Sequence, residues 1–255
     1  MNRIADGVAS KVPEVTLGFW VIKILATTLG ETGGDEVSMS LNLGYAVSSF
    51  IFVAIFLVAV AAQIRTKAFN SFLYWIVIIA TTTAGTTVAD FCDRSLGIGY
   101  AGGTMILFAL LIASLGLWYY AAGSISVDTV NSPRIEMFYW VSILFSQTLG
   151  TALGDWMADT GLGYEGGALV FATGLAVITA TYFFTSLSRT ALFWAAFILT
   201  RPLGATVGDF LDKPVTNGGL EISRLYASLL LAALMIVCIM VFPQRAGRHT
   251  GSGTA

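Results

Sequence analysis

One phrase, W-x9-G-x3-[GA]-D, occurs four times in this chain, and no other feature limits the fold as tightly. The copies begin at Trp20, Trp75, Trp140 and Trp194, spaced 55, 65 and 54 residues apart. Position +10 is Gly30, Gly85, Gly150 and Gly204; position +14 is Gly34, Ala89, Gly154 and Gly208. Position +15 is Asp35, Asp90, Asp155 and Asp209. A second phrase follows each Asp after a short loop: LGYAVSS, IGYAGGT, LGYEGGA and a degraded GGLEISR. Self-similarity at a fixed period marks one supersecondary unit used repeatedly, with its apolar faces buried against its neighbours. The repeats are expected at 12–66, 67–127, 128–186 and 187–242, within one domain spanning 1–242, followed by a disordered cytoplasmic tail at 243–255.

Each repeat holds two apolar stretches long enough to cross a bilayer core of about 30 Å. They fall at about 13–36, 44–64, 68–93, 99–122, 134–158, 164–186, 189–211 and 220–242. With 56% hydrophobic and 11% charged residues and a mean hydropathy of +0.80, an all-α integral membrane protein of eight transmembrane helices is expected. Two spans per repeat make every repeat enter the membrane from the same side, giving parallel rather than inverted repeats. Arg3, Lys11, Arg65, Lys67, Arg134, Arg189, Arg245 and Arg248 lie on the side of the termini, against Arg94, Lys213 and Arg224 on the other. The positive-inside rule therefore puts both termini in the cytoplasm. Short loops make consecutive helices expected antiparallel neighbours, and the four repeat tryptophans are expected as anchors at the cytoplasmic interface.

Counted from the Trp, positions +3, +7, +11 and +15 fall near one helix face. Position +7 is Thr27, Thr82, Gln147 and Arg201; +11 is Glu31, Thr86, Thr151 and Ala205; Lys23 holds +3 in the first copy only. The neighbouring +8 position adds Thr28, Thr83 and Thr148. Each odd helix thus has a polar stripe ending in a carboxylate. Beside it runs a small-residue stripe at +10 and +14, of the kind that lets helix backbones approach closely in lipid. The two stripes together predict helices 1, 3, 5 and 7 as a pseudo-fourfold inner ring, with the even helices outside.

Ionisable residues at the depth of Lys23, Glu31 and Arg201 are costly in a membrane and point to function, or to counter-ions for one another. Four aspartates at helix C-termini oppose the helix dipole and call for a compensating partner. Eleven acids lie in the outer half, a field that concentrates cations. The available ligands are hard oxygen donors suited to Mg²⁺, Mn²⁺ or Ca²⁺, or to protons. Cys92 and Cys238 form no metal-binding spacing, no basic tract suggests nucleic acid, and no HExxH, GxSxG or phosphate loop is present. No cofactor is expected apart from a bound divalent cation, and a cleavable signal peptide is not expected.

Four two-span units, each with a Trp and a TxxGxxxxD-like phrase, resemble a bacterial membrane-protein family defined by a repeat of unknown function and commonly labelled membrane-anchored protein. KVPEVTLGFWVIKILATTLGETGGD is the most characteristic stretch, and the resemblance covers about 12–242. It implies a bacterial inner-membrane location and the four-repeat architecture, and it brings no activity. The fourth copy departs most, with RPLG in place of TTLG.

The function expected from these residues is transport of a small cation, with Asp35, Asp90, Asp155, Asp209 and Glu31 as ligands. Thr27, Thr28, Thr82, Thr83, Gln147, Thr148, Lys23 and Arg201 are expected along the pathway. The alternatives are a transporter of a small anion or organic solute using Lys23 and Arg201, and a structural membrane protein. An enzyme is not expected, lipid is the surrounding partner, and a homo-oligomer is compatible with all three readings.

Overall fold

A computed structural model describes residues 10–247, and the described chain is helical with no strands. Eight α-helices follow in order: α1 (Leu17–Asp35), α2 (Gly44–Arg65), α3 (Ser71–Asp90), α4 (Tyr100–Ala122), α5 (Pro133–Met157), α6 (Gly163–Phe184), α7 (Arg189–Asp212) and α8 (Arg224–Val241). Their starts have local causes. Thr16, Asn70 and Ser188 accept hydrogen bonds from the backbone N–H groups of Phe19, Leu73 and Ala191, and Pro133 stands at the first position of α5. In the first three repeats the helix opens into a π-turn just past the Asp, at Glu36–Ser40, Phe91–Ser95 and Ala158–Leu162. Pro214 follows the fourth Asp and its Lys213, and a 3-10 turn, Val215–Asn217, takes the place of the π-turn. The glycine of the GY phrase has positive φ in all three copies (Gly44 +73°, Gly99 +76°, Gly163 +64°), a region that favours Gly.

Six helical stretches are long and apolar enough to cross a membrane by length and composition, and one of them, Pro133–Phe184, holds both α5 and α6, separated by a break at Gly161 (φ +92°) and Gly163. The first helix is not among them, because Lys23, Glu31 and its threonines make it too polar. A 22-residue helix is about 33 Å long, enough for a hydrocarbon core of about 30 Å. The even helices expose Phe50, Val58, Met105, Leu169, Phe183, Leu230 and Met240 almost without polar relief. Apolar surface that extensive is untenable in water and ordinary in lipid.

The odd helices pack on one another: α1 on α3 and α7, and α5 on α3 and α7. Each even helix packs chiefly on the odd helix of the next repeat: α2 on α3, α4 on α5, α6 on α7, and α8 back on α1. Of the consecutive helices expected to be neighbours, α2–α3, α4–α5 and α6–α7 are, whereas the two helices of one repeat are not, and for those pairs the expectation is corrected. The loop after each Asp carries the chain past its own odd helix and onto the following one. The repeats interlock, so the sequence units are not the packing units.

The small residues set how closely the odd helices approach. A Cβ on Gly30 would collide with Thr82, one on Gly150 with Arg201, and one on Gly204 with Thr27. A Cβ on Gly85 would lie 2.9 Å from the Thr148 backbone nitrogen and 3.0 Å from the Gln147 carbonyl carbon. Each +10 glycine thus lies over the +7 residue of the next repeat, all the way round. At +14, Gly34 meets Thr86, Gly154 meets Ala205 and Gly208 meets Glu31, while Ala89 is itself buried. Backbone cannot yield as a flexible side chain can. Gly85→Ala should therefore lower stability by about 1–3 kcal/mol. Gly116→Ala, with nothing within 4 Å, should be neutral or slightly stabilising. Thermal unfolding of both variants in detergent checks this.

The end of the bundle near the termini is filled by aromatic rings. The residue before each repeat Trp is aromatic and buried: Phe19, Tyr74, Tyr139 and Phe193. Trp75, Trp140 and Trp194 are buried with them and are core rather than interface anchors, while Trp20 is part-exposed. The Tyr74 and Tyr139 hydroxyls share a hydrogen bond of 2.6 Å, and the indole nitrogens of Trp75 and Trp194 donate to Gln244 Oε1 and the Ile125 carbonyl. A second correction concerns the tail expected to be disordered from 243. Ser10 and Glu14 donate backbone hydrogen bonds to Gly247 and Arg245, Gly247 donates to Val12, and Pro13 pairs with Ala246. The rest of the tail, 248–255 with Arg248, and also Arg3, lie outside the described residues.

Candidate functional site

Moving along the odd helices away from the aromatic layer, the polar residues of the four repeats come in successive layers. Lys23, at +3, is fully buried, with Nζ 3.4 Å from Thr200 Oγ1 and 4.0 Å over the Phe197 ring. The +7 layer holds Thr27, Thr82, Gln147 and Arg201, all fully buried. Thr27 Oγ1 donates to the Ile24 and Thr200 carbonyls, whereas Thr82 Oγ1 and both amide atoms of Gln147 have no hydrogen-bond partner. The +8 hydroxyls of Thr28, Thr83 and Thr148 bond to carbonyls one turn back on their own helices, at 2.9–3.0 Å. Those three bonds leave the hydroxyls engaged with their own helices rather than with the other repeats.

In the +11 layer the repeats meet through one guanidinium. Arg201 Nη2 donates to Glu31 Oε2 at 2.8 Å, to Thr86 Oγ1 at 2.6 Å and to Thr151 Oγ1. Those acceptors are the +11 residues of the other three repeats; the fourth copy has Ala205 there. Arg201 and Glu31 form a wholly buried ion pair. Lys23, expected as a counter-ion, pairs with no carboxylate among the described residues.

In the +15 layer the four aspartates are held by two bases. Arg94 bridges Asp90 (Nε to Oδ1, 2.9 Å) and Asp155 (Nη2 to Oδ2, 3.2 Å). Lys213 bridges Asp35 and Asp209, the latter at 3.0 Å, with Asp212 at 4.0 Å. Each base stands four residues past its own Asp and reaches the Asp of the next repeat. Only the second and fourth copies carry a base there; the first and third have Met39 and Asp159. Burial opposes the charge on Lys213, but the carboxylates of Asp209, Asp35 and Asp212 outweigh it and hold the ammonium protonated well above the ordinary lysine range. Arg224, first residue of α8, binds Asp212 at 3.3 Å, and Asp93 is buried against Gly103 near the start of α4.

The expected metal ligands are thus divided. Oxygens of Glu31, Asp35 and Asp209 lie within 4.8 Å of one another, while Asp90 and Asp155 flank Arg94. A cleft of about 150 Å³ lined by Arg94, Tyr100, Asp155, Asp159, Tyr164 and Asn217 leads toward this layer. Arg94 and Lys213 were counted in the sequence only as outer-loop charge. Their signal was the i, i+4 spacing after the repeat Asp, which puts acid and base on one helix face. The aromatic residue directly before each repeat Trp is a second signal of this kind.

A family model described as a repeat of unknown function (DUF347) matches the chain four times, at 18–69, 73–124, 138–188 and 192–245. No curated protein and no solved structure matches it.

Proposed function

The chain belongs to the DUF347 repeat family, and, with no activity to inherit from that membership, we propose that it transports a small hard cation, Mn²⁺ or Mg²⁺ by preference. One observation carries the reading: a protonated lysine sits against two of three buried carboxylates that are close enough to share one ion. Lys213 acts as a tethered cation. An arriving ion takes over Asp35 and Asp209, Glu31 lies within reach as a third oxygen ligand, and Lys213 swings out toward Asp212. Carboxylate oxygens suit hard divalent ions, and the exchange keeps the buried acids neutralised at every stage.

In this reading all eight helices span a bacterial inner membrane. The odd ones form a pseudo-fourfold ring whose polar stripes share an axis, and both termini are cytoplasmic. The aromatic layer closes the cytoplasmic end, so release on that side requires Phe19, Tyr74, Tyr139 and Phe193 to part. The Arg94 clamp on Asp90 and Asp155 repeats the arrangement of one base between two acids on the opposite side of the ring. Transport of an anion or organic solute is less favoured, because it would leave the four +15 aspartates and the two bases between them as scaffolding.

The test is thermal stability of the purified protein with Mg²⁺, Mn²⁺, Ca²⁺, Zn²⁺ and Na⁺ as gluconate salts. A cation that binds only the folded state at 100 times its Kd adds about 2.7 kcal/mol. One divalent ion should stabilise the wild type and leave Asp35→Asn with Asp209→Asn unaffected. If no ion stabilises the wild type, the assignment fails.

A further inference from the structure

The middle of the bundle holds two fully buried basic side chains, Lys23 and Arg201, and a single carboxylate, Glu31, that pairs with Arg201. All the hydrogen bonds of Arg201 leave from Nη2; its Nε and Nη1 have no partner. Lys23 has one long hydrogen bond, to Thr200, and an aromatic face. In the same +7 layer, Gln147 Nε2 and Thr82 Oγ1 are also without partners and wholly buried. Native interiors leave few such groups unmet, and each one normally has a protein, water or ion partner.

This set is rich in donors, and with Lys23 protonated it carries one positive charge that no carboxylate meets. A cation–π contact offsets part of the cost of burying Lys23, but not the several kcal/mol that an isolated charge loses on leaving water. Water would serve the hydrogen bonds and leave the charge unmet. A cation is repelled by both bases. From this geometry we infer that the +7 layer binds a small monovalent inorganic anion of halide size, held by Lys23, Arg201, Gln147 and Thr82. The site is separate from the carboxylates that would hold the cation, lies one layer nearer the aromatic end, and does not depend on the transport reading. A bound anion there would make the bundle interior electrically neutral, with Glu31 and the anion facing Arg201 and Lys23.

The test uses the full chain in detergent at fixed sodium and ionic strength, with chloride or bromide exchanged for gluconate. Halide should raise the melting midpoint of the wild type in a saturable way, and ³⁶Cl⁻ should bind at about one per chain. Lys23→Met should remove both effects. Should Lys23→Met not fold, Thr82→Val with Gln147→Leu, which changes no charge, should weaken halide binding at least tenfold. A melting midpoint indifferent to halide, no bound ³⁶Cl⁻, or binding unchanged in these variants overturns the inference and leaves Lys23 neutral with water serving the unpaired groups. The cation screen is run entirely in gluconate, so failure of one site is read independently of the other.

Discussion

Arg201→Met should lower stability by about 3–5 kcal/mol, the effect expected when one member of a buried ion pair is removed and the other is left uncompensated. The loss is large because Arg201 does more than neutralise Glu31: its Nη2 also holds Thr86 and Thr151, so one guanidinium ties the fourth repeat to the other three. Glu31→Leu alone should cost a similar amount, since it strands a second buried base beside Lys23. The double variant Glu31→Leu with Arg201→Met should recover most of the loss, because a buried pair replaced by apolar groups of similar volume is often neutral or stabilising. A double-mutant cycle on unfolding midpoints checks this. Strictly additive single effects would mean that the two residues act separately.

Lys213→Met should produce a conditional phenotype. Without divalent ions, Asp35 and Asp209 lose their shared partner, and stability should fall by about 3–5 kcal/mol. The cation that stabilises the wild type should restore it, and should bind the variant about 10- to 100-fold more tightly. A charged hydrogen bond is worth about 1.5–3 kcal/mol, and the ion no longer has to displace one. Transport in liposomes should slow, because nothing remains to drive the ion out. Arg94→Met, lacking a third carboxylate, should lose stability without the ion rescue. With its pKa raised in the fold, Lys213 contributes stability that is complete below the unfolded lysine value and is lost only above the folded one. Between about pH 6 and 9 it should therefore add no pH dependence of its own. Rescue of Lys213→Met by every salt alike, or by none, would remove the tethered-cation reading.

What was legible in the sequence was local. Helix ends fell within a few residues of the expected ones, because caps, prolines and the GY glycines act on their own neighbourhood. The +7, +11 and +15 residues proved to lie in successive layers because steps of four keep to one helix face. The errors concerned partners. Trp75, Trp140 and Trp194, read as interface anchors, are core, since the aromatic residue before each one completes a buried layer. The close neighbour of each outer helix is the odd helix one repeat on, and hydropathy contains no term for that choice. Lys23 and Arg201 looked alike as buried bases, yet only Arg201 reaches an acid.

The sequence by itself determined the fourfold repeat, the helix lengths and the register that puts a Gly at +10 and an Asp at +15 in every copy. Those follow from backbone periodicity and side-chain size, which act within one or two turns. Only the tertiary structure decided which base meets which acid. Lys213 meets Asp35 across 178 residues and Arg201 meets Glu31 across 170, because the last repeat packs against the first. Closing that cycle brings the one copy with an arginine at +7 against the one copy with a glutamate at +11, and an ion pair forms where neither repeat alone could neutralise its charge.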